Sequence, residues 1–327
     1  MIPALRRIGA RAVAGWFPTL PASRLGWIRG IMGLFLVTTL VQQRADWLSL
    51  GASDPGLFAP VGVVRLLGGP LPPATLPLIQ GGTVALAALW ALGLGWRLVG
   101  PTFAAAFLFW ASYRLSWGFM AHGTHLLALH VLVMAFTPAA AAVSADAALA
   151  RRWPRWPACI PGPVQGSERY GWPLRLLSAV TTLTYLLAGL AKVSQPGGMG
   201  WARGYNLRDQ VAYAVMTHNL YQPELPFTLP SALLAHPGLI SAGAVLTLVL
   251  ELGAPLALLG RRLGLVWAAG ILAMHIGIAV AMGIVFPYQT TGLALLSFVA
   301  LAWPIRGRTP RPQLPSTERQ KASSAAA

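Results

Sequence analysis

The chain has 327 residues, of which 56% are hydrophobic and only 10% charged, against roughly a quarter charged in ordinary water-soluble domains. Too little polar surface remains to coat a water-facing globule, so lipid must form part of its solvent. The formal net charge of +16 does not point to nucleic acid, because the basic residues fall in short clusters between apolar runs, as in chains that record membrane orientation in their loops.

Residues 1–26 form a basic N-terminal segment carrying Arg6, Arg7 and Arg11. No uninterrupted apolar core follows before Pro18 and Pro21, so no cleavable signal peptide is expected. Trp16 and Phe17 are expected to anchor an interfacial stretch. Residues 27–305 then read as an all-α, polytopic transmembrane helix bundle of about eight spans, at about 20 residues per crossing. The first four spans are expected at Trp27–Val41, Leu76–Trp96, Pro101–Trp117 and Thr124–Ala140. The next four are Pro173–Lys192, Gly238–Leu259, Leu263–Val285 and Thr290–Trp303. Between the first two lies a Pro- and Gly-rich segment, Gly51–Pro73, that reads as re-entrant or interfacial. The single cysteine, Cys159, sits in a loop-like stretch rich in Arg, Trp and Pro. One thiol excludes an intrachain disulfide and a cysteine-based metal site. Residues 306–327 read as a disordered cytoplasmic tail.

With both termini cytoplasmic, every Lys and Arg falls on the cytoplasmic side except Arg44, Arg65, Arg114, Lys192, Arg203 and Arg208. That bias is what the positive-inside rule requires.

An ionisable group at membrane depth is expensive and is a functional candidate by default. Lys192 closes the fifth span at its non-cytoplasmic end, with Tyr185 two helical turns earlier on the same face. Ala188 and Gly189 between them would let a neighbouring helix or a flat ligand approach closely. The bland alternative for Lys192 is a snorkelling interfacial anchor. His122 and His125 are spaced to share a helix face at the start of the fourth span, whereas His130 points elsewhere. No local Asp, Glu or Cys joins them, so no metal site is expected. His275 lies within the seventh span, where an imidazole needs a polar partner. Glu251 lies within the sixth, where it reads as a buried hydrogen-bond or ion-pair partner holding helices in register. Counting from the span ends puts it in the cytoplasmic half, away from Lys192. The long external segment from Val193 to Pro237 carries Trp201, Tyr205, Tyr213, His218 and Tyr221, aromatics that could cover a cavity or form an interfacial belt.

The string Tyr185, Ala188-Gly189, Lys192, Trp201 and Gly204 resembles the signature of the vitamin K-dependent gamma-carboxylase and its bacterial relatives, the HTTM (horizontally transferred transmembrane) family. Further features resemble it: the run from His122 to Phe136, Glu251 with Pro255 ahead of Arg261-Arg262, and His275 followed by Phe286-Pro287. The resemblance spans about Trp27 to Trp303 and is sharpest over 185–204.

The resemblance implies a quinol-coupled carboxylase or oxidoreductase with reduced vitamin K or menaquinol as cofactor. Lys192 would be the base toward the quinol, with His125 and His275 as further catalytic groups. Tyr185, Gly189, Trp201 and His122 would line the cofactor site. An amine serves as such a base only where its surroundings make the uncharged form accessible. A secreted peptide or protein would be the substrate, membrane lipid the standing partner, and the bacterial cytoplasmic membrane the location. The carboxylase carries a large lumenal domain after its helices, where only a short tail is expected here, and a Gly-rich insert at 193–200 is a second departure. The alternative reading is a non-catalytic membrane component of a peptide maturation, export or immunity system. A transporter ranks last, since no pair of broken helices in inverted repeat is visible.

Overall fold

The computed structural model describes residues 15–304 apart from 119–121, 154, 157–165, 195–196, 198 and 222–227. Arg6, Arg7, Arg11, Cys159, Gln195, Pro196, Gly198 and the 306–327 tail lie outside the described residues, as does the side chain of His122. Among the described residues there are α-helices and short 3₁₀ turns and no β-strand.

The first half of the bundle is α1 (Ala22–Gln42), α2 (Leu76–Leu92), α3 (Trp96–Leu115) and α4 (His122–Ala135). On α1 the buried residues Leu25, Ile28, Met32, Leu36 and Leu40 recur at helical spacing, while Trp27, Ile31, Leu34 and Val41 stay exposed. That is one core-facing stripe and one lipid-facing stripe. A Cβ on Gly33 would lie 2.4 Å from the Ala91 Cα, so the glycine is what lets α1 and α2 touch backbone to backbone.

The expected span Leu76–Trp96 is the single helix α2, which ends four residues earlier, at Leu92. Gly93 and Gly95, at φ +65° and +62°, turn the chain out of α2 and into α3, a conformation in which only glycine is unstrained. The orphan amides at the start of α3 are met by Asp146 on α5 (Ala145–Arg152), whose two carboxylate oxygens accept from the Gly95 and Trp96 amides at 2.9 and 3.0 Å. The Gly51–Pro73 segment forms short 3₁₀ turns against the end of α3, where the Val61 amide donates to Ser116 Oγ and the Leu71 amide to Tyr113 Oη.

The second half is organised on α6 (Glu168–Ser194), a 27-residue helix packed against α1, α4 and the later helices. After a short helix at Met199–Ala202 come α7 (Tyr205–Tyr221), α8 (Thr228–Leu234) and α9 (Pro237–Leu252). α8 and α9 meet at 97°, at His236-Pro237, where proline cannot continue the preceding helix. α9 stops at Gly253-Ala254-Pro255, and a 3₁₀ segment Ala254–Leu258 carries the chain on alongside α6. α10 (Arg261–Met282), α11 (Pro287–Thr290) and α12 (Leu296–Ala302) complete the bundle.

Among the described residues, four helices are long and apolar enough to cross a membrane: Ala22–Gln42, Pro73–Leu92, Glu168–Ser194 and Arg261–Met282. The bent pair α8–α9 makes a fifth if it is one span. The expected spans at 124–140 and 290–303 correspond to shorter apolar helices, Gly123–Ala135 and Leu293–Ala302.

Candidate functional site

α6 presents Tyr185, Gly189 and Lys192 along one face, as their spacing of four and three residues requires. Lys192 Nζ donates to both carboxylate oxygens of Glu251, at 2.6 and 2.8 Å. The expectation that separated Glu251 from Lys192 is therefore corrected. α9 runs past the end of α6, and the chain continues beyond the Gly253–Pro255 break until the Leu258 carbonyl accepts from Arg175 on the same helix. Glu251 thus lies partway along an extended segment, and the long lysine side chain spans what remains. The ion-pair role read for Glu251 holds, with Lys192 as its partner.

The carboxylate is buried, at 5% side-chain exposure, whereas Lys192 keeps 20%. A Cβ on Gly189 would lie 2.9 Å from the Glu251 Cβ and 3.0 Å from Leu252 Cδ2, so the close approach of α6 and α9 that makes the ion pair needs glycine there. Lys192 Nζ also sits over the Trp201 ring, 5.1 Å from its centroid. Gly204, at φ +80° and with its Cα pressed against the Ser241 backbone, and the bond from Ser241 Oγ to the Arg203 carbonyl at 2.8 Å hold the Trp201 segment onto α9. The motif glycines and the tryptophan thus have one geometric purpose: to close a cation, a carboxylate and an aromatic face around one point.

Beside it, the Tyr185 hydroxyl and His275 Nε2 share a hydrogen bond of 2.7 Å, both residues being buried. Trp267 meets the Tyr185 ring edge to face at 5.4 Å, and Phe286 meets His275 likewise at 5.3 Å. Trp267 Nε1 donates to the Leu250 carbonyl at 2.9 Å, tying α10 to α9 one residue before Glu251. The other imidazole nitrogen, His275 Nδ1, is buried and meets no partner among the described residues. A buried polar atom left in this state costs stability. On the other side of α9 and α10, a groove of about 420 Å³ is lined by apolar side chains including Leu207, Val211, Leu246, Leu250, Met274 and Ile278.

His125 lies on the exposed face of α4, and His122 is the first residue of that helix. The histidine that α4 buries is His130, which the sequence reading set aside. Its Nδ1 bonds with Tyr288 Oη at 2.7 Å and its Nε2 with Thr181 Oγ1 at 3.0 Å. The available signal was its position in the middle of an apolar run, where an imidazole has to find partners. Arg29 was missed for a similar reason, having been counted only as a topology marker. It is 1% exposed, and its guanidinium donates to the carbonyls of Ala139, Trp90, Ala91 and Val143.

Neither a curated protein nor a solved structure matches the chain. A family match covers nearly all of the described bundle, including both polar pairs. With its apolar helices this makes the protein an integral membrane protein, and the match, to the HTTM domain over residues 17–303, shows that the chain belongs to the HTTM family.

Proposed function

We propose that the chain is a quinol-dependent, carboxylase-like membrane enzyme in which Lys192 and Glu251 handle the proton together. The observation that carries this reading is a two-point ion pair at 2.6 and 2.8 Å beside a buried imidazole nitrogen with no partner. Reduced vitamin K or menaquinol, when bound, would supply an acidic hydroxyl and the electrons for oxygen chemistry. The residues suit such a group: His275 Nδ1 offers an unused hydrogen-bonding atom, and Tyr185, Trp201 and Phe286 offer flat faces. The base chemistry needs an uncharged amine. Transfer of one proton from Nζ to a Glu251 oxygen turns the ion pair into two neutral groups, and Nζ then accepts a proton from an acidic hydroxyl. Trp201 stabilises the ammonium that results, and Tyr185 orients His275.

The orientation belongs to the same proposal. Eight crossings with both termini cytoplasmic, the shorter helices included, would put Lys192 on the outer side of the bacterial cytoplasmic membrane, where a secreted glutamate-bearing peptide is accessible. A cysteine introduced at Gly197 should then react with reagents confined to the outside; labelling only from the cytoplasm would reverse the topology.

The test of activity supplies membranes containing the protein with reduced quinol, bicarbonate and a glutamate peptide. Quinol epoxide or carboxylated peptide should form with the wild type and disappear with Lys192→Ala. Equal, background-level product from both folded proteins would overturn the enzyme and favour the second reading, a non-catalytic component of a peptide maturation, export or immunity system. The same ion pair supports that reading as a clamp between α6 and α9.

A further inference from the structure

The end of the bundle remote from Lys192 gathers cations that the proton chemistry does not use. Arg24 near the start of α1 donates to the Ala300 carbonyl, one residue before Leu301, which lines a cavity of about 160 Å³ with Arg175 on α6 and Arg261 at the start of α10. Among the described residues, no carboxylate lies within ion-pair distance of any of the three. Arg261 also occupies the first turn of a 22-residue helix, whose own dipole favours an anion there and opposes a cation. Like charges clustered at a helix N-terminus, with no acid among them, describe a site that gains from an anion.

The neighbouring surface describes what carries that anion. A groove of about 660 Å³ runs between α1 and α12, with Ser23 and Arg24 at its polar end and Trp27, Ile31, Val299 and Trp303 along the rest. Trp27 and Trp303 are 61% and 63% exposed, and Trp16 and Phe17 are exposed at the same end, the aromatic pattern of a membrane–water interface. Arg24 is fixed in place by donating to the carbonyls of Ala300 and Trp303, at 2.5 and 2.8 Å. A guanidinium has five N–H donors, so this anchoring leaves donors for a ligand. An anion-seeking head beside a long apolar slot matches a phosphate joined to hydrocarbon chains, and basic pockets between membrane helices bind such headgroups.

We propose that the α1–α12 groove binds one anionic glycerophospholipid, with its phosphate at Ser23 and Arg24 in the field of Arg175 and Arg261 and an acyl chain along Ile31 and Val299. The site is independent of the quinol reading, since it lies at the other end of the bundle.

The test is native mass spectrometry of the purified full chain in neutral detergent, titrated with phosphatidylglycerol or phosphatidylcholine of the same chains. Phosphatidylglycerol should bind preferentially, and inorganic phosphate should not displace it. Arg261→Gln, which removes no described hydrogen bond, should weaken the preference about fivefold, the effect of one basic residue at a charged membrane surface. Arg24→Gln should weaken it further. Ile31→Trp, which fills the slot and leaves every arginine, should lower binding of both lipids. Equal binding of the two lipids, full displacement by phosphate, or wild-type behaviour of both Arg261→Gln and Ile31→Trp would overturn the proposal. The last two variants decide the matter even if Arg24→Gln fails to fold.

Discussion

Two cations of the bundle, Arg29 buried and Lys192 half-buried, are treated in opposite ways. Arg29, in the half built on α1–α4, is enclosed by backbone carbonyls of two segments, the last turn of α2 and the stretch from Ala139 to Val143. None of those acceptors can take a proton away. Lys192, in the half built on α6, α9 and α10, keeps one side open and meets a carboxylate, a partner that can take up a proton. Among the described residues, two buried histidines repeat the contrast. His130 has both nitrogens bonded, whereas His275 has one bonded and one left over. Completed hydrogen bonding makes a polar group part of the scaffold; an incomplete set or an exchangeable partner makes it available for chemistry.

Breaking the first cation should have the largest effect on folding. Arg29→Ala leaves its carbonyls in a dry interior and should cost about 3–5 kcal/mol, read as a collapse of the thermal transition in detergent. Arg29→Lys, with a point charge in place of a fork, should recover only part of it.

Breaking the second should spare the fold and remove the reaction. Glu251→Gln keeps an acceptor for Lys192 but removes the proton acceptor, so quinol-dependent turnover should fall about 10²-fold or more with a much smaller change in melting temperature. A variant that melts far earlier while keeping its activity per folded molecule would make the pair a clamp instead.

The histidines sharpen the comparison at a smaller scale. His130→Ala strands the Tyr288 hydroxyl and opens a void, and should cost about 2 kcal/mol. His275→Ala also removes an atom that was itself unsatisfied, so its stability cost should be smaller while quinol binding weakens more. The reverse ranking in paired melting and binding measurements would cancel the division of roles. Gly189→Ala should cost about 1–3 kcal/mol of overpacking between α6 and α9, a change comparable to that of His130→Ala and detectable as a weakened coupling of Lys192 to Glu251 in a double-mutant cycle.

Much of the site on α6 was legible in the sequence. Tyr185, Gly189 and Lys192 share a helix face by spacing alone, whereas Trp201 and Gly204 stood out through the family resemblance. Glu251 was legible as a buried ion-pair partner and not as the partner of Lys192. Depth counted from the ends of a span assumes a regular rise per residue, and the break at Gly253–Pro255 defeats that count. The end of the second expected span was overrun for a related reason, because Gly93 and Gly95 turn the chain inside a run that is apolar throughout.

By itself, the sequence determined that the chain lives in lipid, that it is helical, and that Lys192 lies on one face with Tyr185. Composition and helical periodicity are local properties, and they settle solvent and secondary structure. Only the tertiary structure decided that Lys192 meets a carboxylate and that Arg29 is enclosed by carbonyls. It also decided that His130 is satisfied and that His275 is not. Those outcomes depend on which helices touch and at what height, and in a bilayer this follows from small residues such as Gly33 and Gly189 meeting their neighbours across the bundle.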